Sequence, residues 1–301
     1  MKILLSRMTS ILLTSIILST VLKATAASHP MDGLNSDEIN TAMKVLGDSG
    51  QLGAESLLIS LDLESPDKEA VLRWREKPTA ENLPSRSARA VIRRDRKTVV
   101  AVVALATAKL SSSQVIEGAQ AAISNAEIFK TIEIVSSNPE MQAALTLRGM
   151  TDFSALFCAP RTVGNFGTRQ EREKRLVKAD CFDLRENPDN VFATPIEGLF
   201  ATVDLDAGEV IEVTDLGVVP IPKGSHSLSP EAQPALRART RSPATTREFA
   251  IEGSAVSWEN WQFHVGWSTH DGLILSDVRY KENNKWRSVL YEGHLSELYV
   301  P

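Results

Sequence analysis

The stretch that most constrains this chain is its C-terminal one, residues 251–301. It holds four of the five tryptophans (Trp258, Trp261, Trp267, Trp286) and all three tyrosines (Tyr280, Tyr291, Tyr299). Runs at 261–267, 273–280 and 288–291 are rich in aromatic and β-branched residues. The turn signals His270-Asp271-Gly272 and Glu282-Asn283-Asn284 separate them. Three or four such strands cannot bury both faces of a sheet alone, because a sheet needs a second layer to make a core. The pattern predicts the opening of an all-β domain. The chain stops at Leu298-Tyr299-Val300-Pro301 with neither turn nor polar tail, so the expectation is the front of a larger protein.

At 301 residues the length is that of about two domains. A net charge of −5, with 24% charged and 43% apolar residues, describes an ordinary globular chain and argues against nucleic-acid or anionic-membrane partners. The first local feature is N-terminal. Lys2 and Arg7 precede an apolar run at 11–22, followed by Ala24-Thr25-Ala26, the small-residue exit of a signal peptide. Twelve helical residues rise only about 18 Å, too short to span a bilayer. A buried N-terminal helix is the alternative. The reading is a signal peptide at 1–26, with the mature chain exported to a periplasmic or secreted location and no membrane span remaining. In an oxidising compartment the only two cysteines, Cys158 and Cys181, are a disulfide candidate, with two buried free thiols as the alternative. They include no Cys-x-x-Cys, which argues against structural zinc.

Along the chain, Asn35 and Glu38 form a capping-box pattern. Ile39, Ala42, Met43 and Leu46 then share one helical face, and Gly47 is the expected stop. Strands are expected at 56–63, 70–74, 87–94 and 98–107, making a helix-plus-sheet unit. The arrangement then repeats: helices at 125–135 and 140–147, split by Asn138-Pro139, followed by strands at 154–159, 175–183, 197–204 and 210–219. Asp204 to Gly208 reads as a hairpin turn. From 221 to 247 the composition shifts to Pro, Ser, Ala and Arg, which is connector chemistry. Arg237, Arg239, Arg241 and Arg247 there make either a solvated connector or a polyanion patch. Gly164-Asn165-Phe166-Gly167 reads as a turn, and Asp37-Glu38 and Asp204/Asp206 as local caps. Trp258, Trp261 and Trp267 either line a ligand surface or pack against strands beyond this stretch.

These residues together resemble a specific family, the copper-dependent, quinone-containing primary-amine oxidases. The resemblance is carried by His29-Pro30-Met31-Asp32 with Leu34 and Glu38-Ile39, by Arg148-Gly149-Met150-Thr151-Asp152-Phe153, and by Arg175-Leu176-Val177-Lys178. Pro195-Ile196-Glu197-Gly198-Leu199, Val203-Asp204 and the exit Asp215-Leu216-Gly217-Val218-Val219-Pro220-Ile221-Pro222 continue it. It is strongest at Val256-Ser257-Trp258-Glu259-Asn260-Trp261-Gln262-Phe263-His264-Val265-Gly266 and at Leu290-Tyr291 through Leu295-Ser296-Glu297-Leu298 to Val300-Pro301. The chain departs from the family where no arginine precedes Gly272 and where Asn165-Phe166 stands for the usual Trp-Phe. The Cys158/Cys181 pair resembles a disulfide found in some branches.

The fold the resemblance implies is α+β: two consecutive cystatin-like domains, each a helix on an antiparallel sheet, then an incomplete β-sandwich. The expected boundaries are 27–118, 119–222, a linker at 223–248 and the sandwich start at 249–301. The implied reaction converts a primary amine and O2 to aldehyde, ammonia and hydrogen peroxide, using copper and topaquinone in a homodimer. Quinone chemistry needs an electron sink, a carboxylate base and imidazole copper ligands. The family's H-x-H pair, its Asn-Tyr-Asp/Glu quinone tyrosine and its catalytic aspartate are not matched by any residue here. The expectation is therefore no catalytic, cofactor-binding or metal residue in this chain, with His264, His270 and His294 weighed as a metal set and set aside as strand packing or surface groups. Two functional readings follow: the inactive-alone front part of an amine oxidase, whose small domains shape the outer wall of the amine channel, or a non-catalytic exported binding or interaction module derived from one.

Overall fold

The computed structural model describes residues 29–164, 166–229, 248–269 and 271–295. The expected signal peptide and most of the expected linker lie outside them. The described residues form mixed helix and antiparallel sheet in three bodies.

The first unit runs α1 (Ser36–Asp48), β1 (Leu57–Glu64), α2 (Lys68–Glu76), β2 (Ser87–Arg94), β3 (Lys97–Ala104) and β4 (Lys109–Ile116), with sheet order β1-β2-β3-β4. Asn35 caps α1 by accepting from the N–H groups of Asp37 and Glu38, and the Glu38 carboxylate accepts the Asn35 N–H in return. Ala42 and Leu46 are fully buried on a wall of Ala88, Ala90, Ile92, Val99, Ala101 and Val103. The alternating alanines of β2 and β3 leave room for the helix to come close. Truncating Leu46 there would cost about 2–5 kcal/mol. Ile39 and Met43, expected on the same face, are instead 39% and 38% exposed. Contact with the alanine wall is narrow, and only the residues at its centre are covered. The helix also passes Gly47 and ends at Asp48, with Ser49 as its cap.

One strand expectation fails here, and one strand was not expected. Residues 70–74 lie in α2, because Asp67 caps that segment by accepting the Ala70 N–H at 2.9 Å, and Val71 and Trp74 bury one helical face. The fourth strand is instead β4, which reads Lys-Leu-Ser-Ser-Ser-Gln-Val-Ile and is mostly exposed, so it carries no apolar alternation.

The second unit comprises α3 (Asn125–Ser136), α4 (Pro139–Leu147), β5 (Leu156–Thr162), β6 (Leu176–Asp183), β7 (Pro195–Asp204) and β8 (Glu209–Asp215), with sheet order β5-β6-β7-β8. Its core packs Val135, Met141, Leu145 and Met150 against Cys158, Val177, Ala179, Cys181, Ala201 and Val203. Cys158 and Cys181 are register partners across β5 and β6 and are joined in a disulfide, with sulfurs 2.11 Å apart. β8 ends at Asp215 rather than reaching 219. Arg148 grips the Asp215 carboxylate at 2.7 and 3.1 Å and the Gly217 carbonyl at 2.7 Å, drawing the chain off the sheet.

The repeat seen in the sequence as an order of elements extends to one shared side-chain device. In each unit a capping-box glutamate (Glu38, Glu127) meets an arginine (Arg86, Arg175) that follows it by 48 positions. The same guanidinium takes backbone carbonyls of the segment entering the helix. Arg86 takes Pro30, Asp32 and Gly33 at 2.8–3.1 Å, and Arg175 takes Ala121 and Ala122 at 2.9 and 3.0 Å. Both arginines are buried. Their charge is matched by the glutamate, and most of their donors are used, which is what lets a guanidinium sit in a core.

The third body is a sheet of order β13-β12-β11-β10-β9, made of β9 (Phe249–Glu252), β10 (Ala255–Trp258), β11 (Trp261–Ser268), β12 (Gly272–Glu282) and β13 (Lys285–His294). Asn283 and Asn284 both take positive φ (49° and 62°), as a two-residue hairpin turn requires. Residues in register share a face. One face carries His264, Ser276 and Glu292 toward the first unit. The other carries Phe249, Trp258 and Trp261, then Ile251, Val256 and Phe263, then Trp267 and Leu273.

Candidate functional site

A dense constellation of ionisable groups lies where the terminal sheet meets the first unit, around the strap formed by residues 29–33. Arg86 pins the strap to the first unit through its carbonyls, so its side chains are free to reach the sheet. Asp32 Oδ1 lies 2.6 Å from His264 Nε2, and Asp32 Oδ2 accepts the His29 N–H at 2.8 Å. His264 is 3% exposed, and its Nδ1 lies 3.3 Å from the Ser276 hydroxyl. The His29 ring stacks on His264, with centroids 4.3 Å apart and an 18° tilt, and meets the edge of Trp74 at 5.0 Å. His29 Nδ1 accepts the Met31 N–H at 3.1 Å, which leaves its proton on Nε2, 3.9 Å from Asp277 Oδ2.

Asp277 also pairs with Arg75 of α2. It sits where β12 bulges against β11, between the register pairs Gln262–Arg279 and His264–Ser276, with φ at 46°. A bulge re-aims a side chain, and a positive φ in a non-glycine residue persists only when its surroundings hold it there. Burial by itself would raise the Asp277 carboxyl, but His29, Arg75 and Arg279 outweigh it and hold it below the ordinary range. The same burial lowers the Arg279 guanidinium, with Arg75 adding to the effect and Asp277 opposing it. On β13 the Tyr291 hydroxyl donates to the Pro66 carbonyl, and desolvation, aided by Glu292, Asp67 and Asp277, pushes it up to about 12. The Ser65 hydroxyl donates to both Glu292 oxygens at 2.7 and 2.9 Å.

Ser276, His264 and Asp32 have the connectivity of a nucleophile, base and orienting acid, but not the setting. Ser276 is 1% exposed and lies mid-strand between His264 and Glu292, so its backbone belongs to the ladder rather than to an oxyanion hole. A neighbouring cleft of about 450 Å³ is lined by Asp62, Glu64, Asp271 and Glu292. Those carboxylates are engaged by the Thr269 N–H, Arg89, His294 and Ser65 respectively. The arrangement holds two bodies together.

Of the weighed metal set, the two described members are each engaged by a carboxylate. His264 is committed to Asp32, His294 Nδ1 lies 3.2 Å from Asp271, and His270 lies outside the described residues. Among the described residues no group of three or more His, Cys, Asp or Glu is placed to hold a metal ion. Trp258 and Trp267 are 45% and 72% exposed. Gly164 and Gly167 both take positive φ, around 85°, as a turn does, and Asn165 lies outside the described residues. Asp206, read as a local turn residue, also reaches the first unit through Arg93 at 2.6 Å. Sequence reasoning did not find the joint itself (His29, Asp32, Arg75, Asp277). The only available signal was an aromatic- and acid-bearing strap just ahead of a capping box. No described helix is long and apolar enough to cross a membrane.

Comparison with known proteins follows the same order of bodies. Residues 29–116 match the copper amine oxidase N2 domain, 126–228 the N3 domain and 250–301 the copper amine oxidase enzyme domain. Primary amine oxidase 1 of Arabidopsis thaliana is 32% identical over 301 residues, covering 97% of this chain and 45% of that protein. The primary amine oxidase of Klebsiella aerogenes is 29% identical over 277 residues, covering 91% of this chain and 36% of that protein. Among solved structures, a copper-containing benzylamine oxidase from Hansenula polymorpha superposes with a TM-score of 0.63 at 19% identity, covering 88% of this chain and 44% of that one. The chain thus spans less than half the length of these relatives. It belongs to the copper amine oxidase family, of which it carries the two small domains and the beginning of the enzyme domain.

Proposed function

We propose that this chain is the front part of an exported primary-amine oxidase that uses copper and topaquinone. In the balanced overall reaction, RCH2NH2, O2 and H2O become RCHO, NH3 and H2O2. The observation that carries the reading is the terminal sheet. One face is docked on the first unit, and the other presents Phe249, Ile251, Trp258, Trp267 and Leu273, each at least 45% exposed. An apolar sheet face of that size calls for a second layer. The reading supplies it as the rest of a β-sandwich, with homodimerisation there. We take the two small units as cystatin-like, bounded at 27–118 and 119–222, with a linker at 223–248 and the sandwich start at 249–301. Export follows from the signal peptide read at 1–26.

The described residues do not fit copper. His264 and His294 are each held by a carboxylate, His29 is stacked in the joint, and His226 is exposed on the segment leaving the second unit. Tyr280 packs on Trp261 at 4.8 Å, and Tyr291 is buried in the joint. No catalytic step is assigned to this chain. Its residues position the sheet on which such a site would be built.

The test is to purify the 301-residue product and measure retained copper, peroxide release with a benzylamine-type substrate, and self-association. The expected result is no stoichiometric copper, no peroxide, and concentration-dependent association that weakens in Trp258→Ser/Trp267→Ser. Peroxide release by this chain would overturn the placing of the chemistry elsewhere. A monodisperse monomer with no affinity for apolar dyes would favour the non-catalytic binding module.

A further inference from the structure

We propose that the strap joint is an acid-released latch: with His29 neutral it holds the terminal sheet on the first unit, and proton uptake by His29, stacked on His264, opens it. The inference needs only the joint, and stands whether or not the oxidase reading does.

The carboxylates beside the two rings can match one added proton and no more. The strap supplies Asp32, which faces His264, and β12 supplies Asp277, which faces His29 but is paired with Arg75 of α2 and lies near Arg279. Behind the strap, Glu38 and Arg86 form a closed pair of their own. On β13, Tyr291 is a neutral donor and Glu292 is occupied by Ser65. The loop before α2 adds Asp67 only near Tyr291. A proton on His264 faces Asp32, so it is a proton on His29 that adds an unmatched positive charge, in a site where His264 is 3% and the His29 side chain 15% exposed.

Geometry sharpens the conflict at His29. Its Nδ1 is the acceptor for the Met31 N–H, so protonation there turns an acceptor into a donor facing a donor. The new cation would lie face to face with a ring 4.3 Å away that is itself positioned to hold a proton against Asp32. Asp277 cannot absorb the charge, since it already serves Arg75 and stands near Arg279. What opens is the sheet's contact. The strap itself stays tied to the first unit through Arg86.

The experiment is hydrogen–deuterium exchange on the full chain at about pH 7.5 and 5.5, spanning the interval in which imidazoles take up protons, with rates corrected for intrinsic exchange. Protection of β11 and β12 is expected to fall at least about tenfold relative to β6 and β7 of the second unit. His29→Asn, whose side-chain oxygen can accept the Met31 N–H but does not titrate, is expected to remove most of that fall. His29→Phe, which keeps the stack, is the second variant should the first misfold. Equal protection at both pH values would overturn the proposal. So would a fall that persists unchanged in both variants, or one that appears only below about pH 4, where carboxylates titrate.

Discussion

Replacing Arg175 by methionine should destabilise the second unit more than any surface change can. The guanidinium bonds Glu127 through Nε and Nη2 and caps the carbonyls of Ala121 and Ala122. Both side chains are buried, at 4% and 7% exposure. Methionine fills most of the volume, so the loss is electrostatic: a buried carboxylate without its counter-ion, and two carbonyls without donors. Removing one partner of a buried pair costs about 3–5 kcal/mol. Glu127→Gln in the same background relieves the stranded charge while keeping the cap onto Ser124, so the double variant should regain about 2 kcal/mol. The assay is urea unfolding followed by far-UV circular dichroism alongside tryptophan emission. The second unit contains no tryptophan, so its loss should appear in the first signal while the emission midpoint holds. A cost below about 1 kcal/mol in the single variant, or a double variant no better than the single, would refute the claim that charge matching is what keeps the arginine inside.

Two further outcomes follow from the second unit. Cys158→Ala/Cys181→Ala should lower its stability by about 3 kcal/mol through the freed loop, since the bridge spans 23 residues, and equilibrium unfolding with and without reductant checks this. The Arg148 guanidinium beside Asp215, aided by the Gly217 N–H, holds that carboxyl at about 2. Its folded value lies below the unfolded one of about 3.9, so the contribution is present above about pH 4 and is lost as pH falls toward 2. A carboxyl-carbon NMR titration should place the midpoint there, and Arg148→Met should return it toward the ordinary value.

What was legible in the sequence was whatever a local pattern dictates. The Asn35/Glu38 box, the Asn138-Pro139 entry to α4 and the strands at β2 and β6 are each set by residues within one turn or one strand. The failures are equally local in origin. In α2 the alternation of Leu72 and Trp74 with Arg73 and Arg75 imitates a strand until the Asp67 cap is considered, and β4 has serines where a half-buried strand would show apolar residues. The joint was illegible for a different reason. His264 lies 232 positions from Asp32, and Arg75 lies 202 from Asp277. No spacing rule reaches that far, and a mid-strand histidine is read by default as packing. The family resemblance singled out both His29-Pro30-Met31-Asp32 and the segment containing His264, yet it could not say that they touch.

The two arginine clamps explain how one device came to do two jobs. In each unit an arginine fixes the backbone that enters the helix, at the same spacing from its glutamate and with the same kind of carbonyl partners. In the second unit the clamped residues are Ala121 and Ala122, whose side chains offer nothing beyond bulk. In the first they include Asp32, next to Met31 and close to His29, and those side chains meet His264, Tyr291 and Asp277 of the terminal sheet. In the first unit the clamp holds Pro30, Asp32 and Gly33 through their carbonyls, so it places no demand on those side chains. The first strap was therefore free to acquire an acid, a thioether and an imidazole without disturbing the unit beneath. Asp32→Ala should accordingly loosen the terminal sheet while leaving α1 and β2 protected in exchange, whereas Arg86→Met should release strap and sheet together.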